Sequence, residues 1–289
     1  MSSARNNQAR LKAPAVEAPP KKTKEQPEPE PATPAESPLS FAVPTEFVDL
    51  PSKGLYYPAD HILNGVDTLE IRHMTAKEED ILASSALLKK GLLLDRLFEN
   101  ILIEDIDPQS LLIGDRSAIM VAARASGYGK IYETALECPT CSAKNTLLYD
   151  LSTVKLSEYC FDEEYINDNS IEINDNIFFI TLPVTKTKVG LRLLDGYGEK
   201  EFSELSANNG DNKVTSTLSA FIEVVGETYD RKEINNFIDS MPVRDSKYIR
   251  TIYPKLVPNI ELKENFTCTR CSHQQEMEVP LTAEFFWPR

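Results

Sequence analysis

The chain has 289 residues, 31 Lys and Arg against 45 Asp and Glu, and a formal net charge of −14. Such acidity argues against a general nucleic-acid binder, because affinity for phosphates comes mostly from cations that displace counterions, and equally against docking on anionic lipid. No apolar run approaches the roughly 18 residues of a membrane-spanning helix, and the first residues, MSSARNNQARLK, lack an apolar signal core, so a soluble protein made in a reducing cytoplasm is expected.

Residues 1–40 hold eight of the 19 prolines and no aromatic residue. A segment so poor in apolar surface cannot offset the entropy of ordering it, which predicts a disordered arm. Without the arm, 25 basic and 40 acidic residues remain, a net −15; the acidity belongs to the folded part.

Residues 41–130 read as a helical region. It begins with an irregular stretch, Leu50 to Pro58, with turn residues at Ser52 to Gly54. Thr75 and Glu78 form a capping box ahead of Ile81, Leu82 and Leu88, and Gly91 supplies the stop. Leu94, Leu97, Phe98, Ile101 and Leu102 then share one helical face. Asp107-Pro108 opens a short helical piece, and Asp115 is expected to cap a longer helix that ends at Gly127.

Residues 131–150 read as a hairpin, with strands Ile131–Glu137 and Asn145–Tyr149 around a cysteine turn. The region 151–259 is a mixed α/β insertion. Within it, Ile171–Ile173 and Ile177–Leu182 flank the loop Asn174-Asp175-Asn176, and helices are predicted over Thr215–Val225, Asp230–Ser240 and Asp245–Tyr253, the last broken by Pro254. Residues 260–289 form a second strand, cysteine turn and strand, followed by an aromatic tail. The expected class is α+β with a helical majority and one split β unit.

Four of the five cysteines lie in two matched motifs, Cys138-Pro139-Thr140-Cys141 and Cys268-Thr269-Arg270-Cys271. Two-residue spacing within strand-like flanks lets both thiolates of a knuckle converge on one ion, and two knuckles supply the tetrahedral set of a structural zinc. The gap between knuckles is 126 residues, where a compact ribbon has about 15–20, so a domain is inserted between the halves of a zinc ribbon. Loop-closure entropy grows only with the logarithm of length, so the long gap costs little extra. A redox C-x-x-C would need a βαβ setting, and four unrelated core cysteines would not come as two matched pairs. With four thiolates as ligands no position remains for a catalytic water. Cys160 reads as a small buried apolar residue. His61, His73 and His273 are isolated, and no catalytic triad or phosphate loop is visible.

Several separated motifs resemble one family. They are Leu50-Pro51-Ser52-Lys53-Gly54, Met74-Thr75-Ala76-Lys77-Glu78-Glu79 with Ile81-Leu82, Leu111-Leu112-Ile113-Gly114-Asp115-Arg116 leading to Arg124 and Tyr128-Gly129, the two knuckles, and Pro280-Leu281-Thr282-Ala283-Glu284-Phe285-Phe286-Trp287-Pro288. In this ordered set the chain resembles the baseplate hub assembly proteins of T-even-like contractile-tailed bacteriophages, in their zinc-ribbon version. The resemblance implies a virion-assembly role without catalysis, exercised through other hub and tail proteins in the host cytoplasm during assembly, or in the virion baseplate. It covers about Leu50 to Pro288 and leaves out the arm. The competing reading is a zinc-ribbon nucleic-acid-binding or transcription-related protein; the charge of the folded part and the lack of a basic, aromatic-bearing strand face count against it. Phe285, Phe286 and Trp287 are expected to pack back onto the core, and Arg116 and Arg124 to serve in structural ion pairs.

Overall fold

A computed structural model describes residues 42–157, 162–174, 176–208, 213–279 and 283–286. The predicted arm 1–40, Asp175 of the predicted hairpin loop, Cys160 and Trp287 lie outside the described residues.

The first element is a hairpin that the sequence reading placed within a helical region. Strands β1 (Thr45–Asp49) and β2 (Thr68–Arg72) pair antiparallel with Val48 opposite Leu69. Their alternation turns Val48, Leu69 and Ile71 into the core. The long loop between them is itself a core plug, with Leu50, Tyr56, Tyr57 and Leu63 buried. It turns back at Lys53 and Gly54, both at positive φ, and a side chain on Gly54 would run into the backbone of Leu63 and Val66.

Three short helices follow: α1 (Ala76–Leu82), α2 (Ser85–Lys90) and α3 (Leu93–Ile101). The capping box at Thr75 and Glu78 is present, and Gly91 closes α2 in the left-handed conformation. The helix predicted to run from one to the other is divided, because Ser84 takes an extended conformation and caps α2 through the amide of Leu87. Asp107 caps a single 3-10 turn, Pro108–Ser110, and α4 (Ile113–Tyr128) ends on Gly129, not on Gly127.

Next come β3 (Ile131–Glu137) and β4 (Lys144–Asp150), a hairpin in full register, and the two-residue strand β5 (Lys155–Leu156). After α5 (Glu163–Asp168), strands β6 (Glu172–Asn174), β7 (Ile177–Thr181) and β8 (Lys188–Arg192) lead to α6 (Gly196–Asn208) and α7 (Lys213–Phe221). Strand β9 (Ile222–Val225) completes an antiparallel sheet in the order β6-β7-β8-β9. The chain then passes through α8 (Arg231–Asp239) and α9 (Val243–Leu256) to β10 (Ile260–Glu261), which pairs with β5. The second hairpin, β11 (Lys263–Thr267) with β12 (Gln274–Glu278), is followed by the 3-10 turn Ala283–Phe286.

The expected helical majority is wrong. Of the described residues 41% are helical and 26% strand, with the strands in small antiparallel sheets. The helix predicted over Thr215–Val225 stops at Phe221, where Ile222-Glu223-Val224-Val225 changes to period two and buries Ile222 and Val224 against β8. Helix α9 runs through Pro254 instead of breaking there. Pro254 and Arg250 are exposed, so a carbonyl deprived of its partner there is open to hydration and the helix can continue for its last residues.

One main core runs from Val48 to Phe286. A smaller one, Leu136, Cys138, Phe266 and Cys268, joins the two cysteine hairpins, and Leu147 packs against both cores.

Candidate metal centre

The two knuckles are built alike. In each, the first cysteine's amide donates to a carbonyl five residues on, Cys138 to Ala143 and Cys268 to His273, both at 2.9 Å. In each, the serine after the second cysteine donates back to the first, Ser142 to Cys138 at 2.8 Å and Ser272 to Cys268 at 3.0 Å. Both serines sit at positive φ, 53° and 57°. That left-handed residue curls the loop tightly enough to aim both thiols of a pair inward.

The two knuckles face each other. The four Sγ atoms of Cys138, Cys141, Cys268 and Cys271 lie within 4.8 Å of one another. Cys138 meets Cys271, and Cys141 meets Cys268, at 3.6 Å each. No disulfide joins them, and these separations far exceed the bond length of about 2.05 Å. Sulfurs held about 2.3 Å from a zinc ion form a tetrahedron with edges of about 3.8 Å, so the donor set fits a tetrahedral ion. Cys138 and Cys268 are buried, Cys141 is partly buried and Cys271 is exposed.

Asn145 on β4 fastens one knuckle to the other. Its Oδ1 accepts from the Thr269 amide at 2.8 Å and the Thr269 hydroxyl at 2.7 Å. Its Nδ2 donates to the Ala143 carbonyl at 2.9 Å and faces Cys268 Sγ at 3.7 Å. The backbone amides of Cys271 and Arg270 push the Cys268 thiol down to about 6. The His273 amide also pulls on Cys271, but the neighbouring thiols Cys141, Cys268 and Cys138 and burial outweigh it and push that thiol up to about 12. Four thiols this close cannot all ionise against one another, and a bound dication would relieve that conflict.

A family model described as T4 bacteriophage base plate protein matches residues 45–287. The chain belongs to this family. No curated protein and no solved structure matches it. The match covers both hairpins, the helices between them and the aromatic turn, and stops short of the arm. Family membership gives the chain a structural role in the baseplate of a phage tail, in company with other tail proteins. Among the described residues no helix is long and apolar enough to cross a membrane.

In this baseplate protein the other sequence-predicted residues have structural partners. Arg116 pairs with Asp95 at 3.0 Å, donates to the Pro108 carbonyl and lies over the Phe98 ring. Arg124 is nearly fully buried but forms no ion pair among the described residues; it donates to the carbonyls of Phe285 and Gly129 and lies over the Tyr128 ring. Phe285 and Phe286 pack into the core, and the Phe285 ring meets Tyr132 of β3 edge-on at 4.8 Å. His61 stacks on Tyr57 and contacts Ser110, His73 lies 4.0 Å from Glu46, and His273 contacts Gln275. None of the three joins the cysteine cluster.

Asp115 is not a helix cap. It lies fully buried in the first turn of α4, and its oxygens accept from the Ser52 amide at 2.9 Å, the Ser52 hydroxyl at 2.6 Å and the Tyr57 hydroxyl at 2.7 Å. Sequence periodicity carries no signal for it, since its partners lie 58 and 63 positions upstream. The repeated knuckle pattern did reveal the cysteines, whereas Asn145 could have been found only as a polar residue on the inward face of a cysteine-flanking strand.

Proposed function

We propose that this baseplate protein is a component or assembly factor of the central hub, acting through protein–protein contacts, with its fold stabilised by one structural zinc on Cys138, Cys141, Cys268 and Cys271. The observation that carries the zinc reading is the convergence of four sulfurs from knuckles 126 residues apart into a set of tetrahedral size. Zinc on four thiolates would join the two hairpins with a bond energy that neither could supply by its own small core. The chain's own residues prepare the site: the positive-φ serines shape each turn, Asn145 sets the distance between knuckles, and Leu136 and Phe266 shield one side from water. A set of four thiolates leaves no coordination position for a substrate, which supports a role without catalysis. The sequence resemblance to hub assembly proteins supports the hub, and an assembly role puts the chain in the host cytoplasm before the tail is complete.

Metal analysis of protein purified without chelator is expected to give one zinc per chain. Cys138→Ser or Cys268→Ser should lose the metal and lower thermal stability, and phage carrying either should fail to complete hubs. Metal-free protein of unchanged stability would overturn the zinc reading. Complete hubs formed without this chain would overturn the assembly reading.

A further inference from the structure

Helix α9 has two faces of opposite character. Asp245, Ser246, Ile249, Ile252, Tyr253 and Leu256 are buried, whereas Val243, Arg244, Lys247 and Arg250 are exposed. The only acidic residue of the helix, Asp245, faces inward, where its carboxylate accepts from the amides of Val184 at 2.7 Å and Thr185 at 3.0 Å. The outward face is left with cations at three-residue spacing and no acidic neighbour on the helix. Among the described residues Arg244, Lys247 and Arg250 make no ion pair. Like charges stacked along one helix face repel, so beyond the attraction of Arg244 for the Asp245 carboxylate the stripe adds no pairing to the isolated fold.

The same carboxylate holds a second feature in place. By binding the amides of Val184 and Thr185 it fixes the β7–β8 loop against the start of α9. Val184 is 45% exposed and Val243 is 79% exposed, and Lys186 in that loop is exposed as well. A cationic stripe with apolar residues at one end has the composition of a docking patch: the charges steer and orient, and the apolar contacts retain.

We propose that the outward face of α9, together with the Val184 loop, is the docking surface for an acidic face of another baseplate protein. The partner class rests on the baseplate reading; the surface itself does not. Charge complementarity selects an acidic partner. A second copy of this chain is disfavoured because two bodies of net charge −14 repel as wholes, and three cations on an acidic protein are a weak match for nucleic acid.

The test uses the full chain and baseplate intermediates purified from infections by phage with a nonsense codon at Lys53. Wild-type chain should bind these intermediates, and rising salt should weaken the binding. R244E/K247E/R250E should bind roughly tenfold or more weakly while keeping wild-type circular dichroism and metal content. R244Q/K247Q/R250Q, which removes charge without reversing it, should lose less and guards against a folding defect in the first variant. Binding by R244E/K247E/R250E as tight as wild type would overturn the proposal. So would a salt-sensitive dimer of the chain alone that the first variant breaks, which assigns the face to a second copy, or duplex DNA that wild type binds and the variant releases. Intermediates that do not bind even the wild-type chain would instead sink the baseplate-assembly reading.

Discussion

Arg124 donates from Nε to the carbonyl oxygen of Phe285 at 2.8 Å, joining positions 161 residues apart. Its second contact, from a terminal guanidinium nitrogen to the Gly129 carbonyl at 3.0 Å, lies just beyond the C-terminus of its own helix. There the carbonyls carry partial negative charge and favour a cation, so a buried guanidinium is held without a salt bridge among the described residues.

Removing that fork should be costly. Arg124→Met leaves the buried Phe285 carbonyl without its donor, while the carbonyl of exposed Gly129 can turn to water, and is expected to lower the unfolding free energy by about 1–3 kcal/mol in urea titrations. Arg124→Lys keeps the charge but cannot span both carbonyls, so it should recover less than half of the loss. A cost below about 0.5 kcal/mol for the Met variant, the range of ordinary surface changes, would show that the fork does not hold the aromatic turn in place.

Two carboxyls should shape the acid limb of stability in opposite directions. Burial pushes Glu78 up, but hydrogen bonds from Arg72 and from the Thr75 hydroxyl and amide outweigh it and hold the group near 2, well below its ordinary 4.5. Its contribution is complete above pH 4.5 and is lost as pH falls toward 2. Burial raises Asp115 despite the donors from Ser52 and Tyr57, so this group favours folding more as it takes up a proton. Glu78→Gln should therefore cost about 1–3 kcal/mol at neutral pH and flatten the decline below pH 4.5. Asp115→Asn should cost about 2–3 kcal/mol, because its amide faces hydroxyls that already accept from Gly54 and Leu112, and should steepen that decline, because it removes the group that offsets it. Thermal melts from pH 7 to pH 3 distinguish the two; a Gln variant with an unaltered acid decline would rule out Glu78 as its source.

Asn145 should tune the proposed metal site without belonging to it. Asn145→Ala removes the link to Thr269 and the amide facing Cys268. Loss of such an outer contact typically weakens metal binding by about 10–100-fold. Competition with a colorimetric chelator measures this directly, and an affinity within twofold of wild type would show that the knuckles orient themselves.

Two glycines of α4 should respond differently to the same change. A methyl group on Gly114 would run into the carbonyl of Pro258, a backbone atom that cannot step aside, whereas on Gly127 it would meet the end of the flexible Met74 side chain. Gly114→Ala should cost about 3 kcal/mol or more and Gly127→Ala under about 1 kcal/mol. Comparable melting temperatures for the two variants would contradict this close approach of α4 to the chain following α9.

What the sequence reveals follows from the range of each interaction. The knuckles, the capping box at Thr75 and the glycine stop at Gly91 are local patterns, and the structure contains all three. Strand β1 is not local: its partner lies beyond a loop running from Leu50 to Asp67, and only pairing reveals it. Strand β9 continues the apolar run of α7 without a turn residue, so the change of period at Ile222 is hidden in four residues. Asp115 resembles a cap because its true acceptor role depends on Ser52 and Tyr57, which only the folded loop brings to it. At Pro254 the sequence rule fails because the proline lies on the exposed side of the helix, within its last turn, where losing one backbone bond costs least.

The split of the cysteine centre also sets an order in time. On a ribosome adding about 5–20 residues per second, the second knuckle is translated on the order of ten seconds after the first. Throughout that interval Cys138 and Cys141 have only half of their eventual company, and β3 lacks the Phe285 ring that packs against Tyr132. Maturation of this fold is therefore vectorial: the nascent chain can complete its helices and its four-stranded sheet early, but the clasp closes only when residues 268–286 emerge.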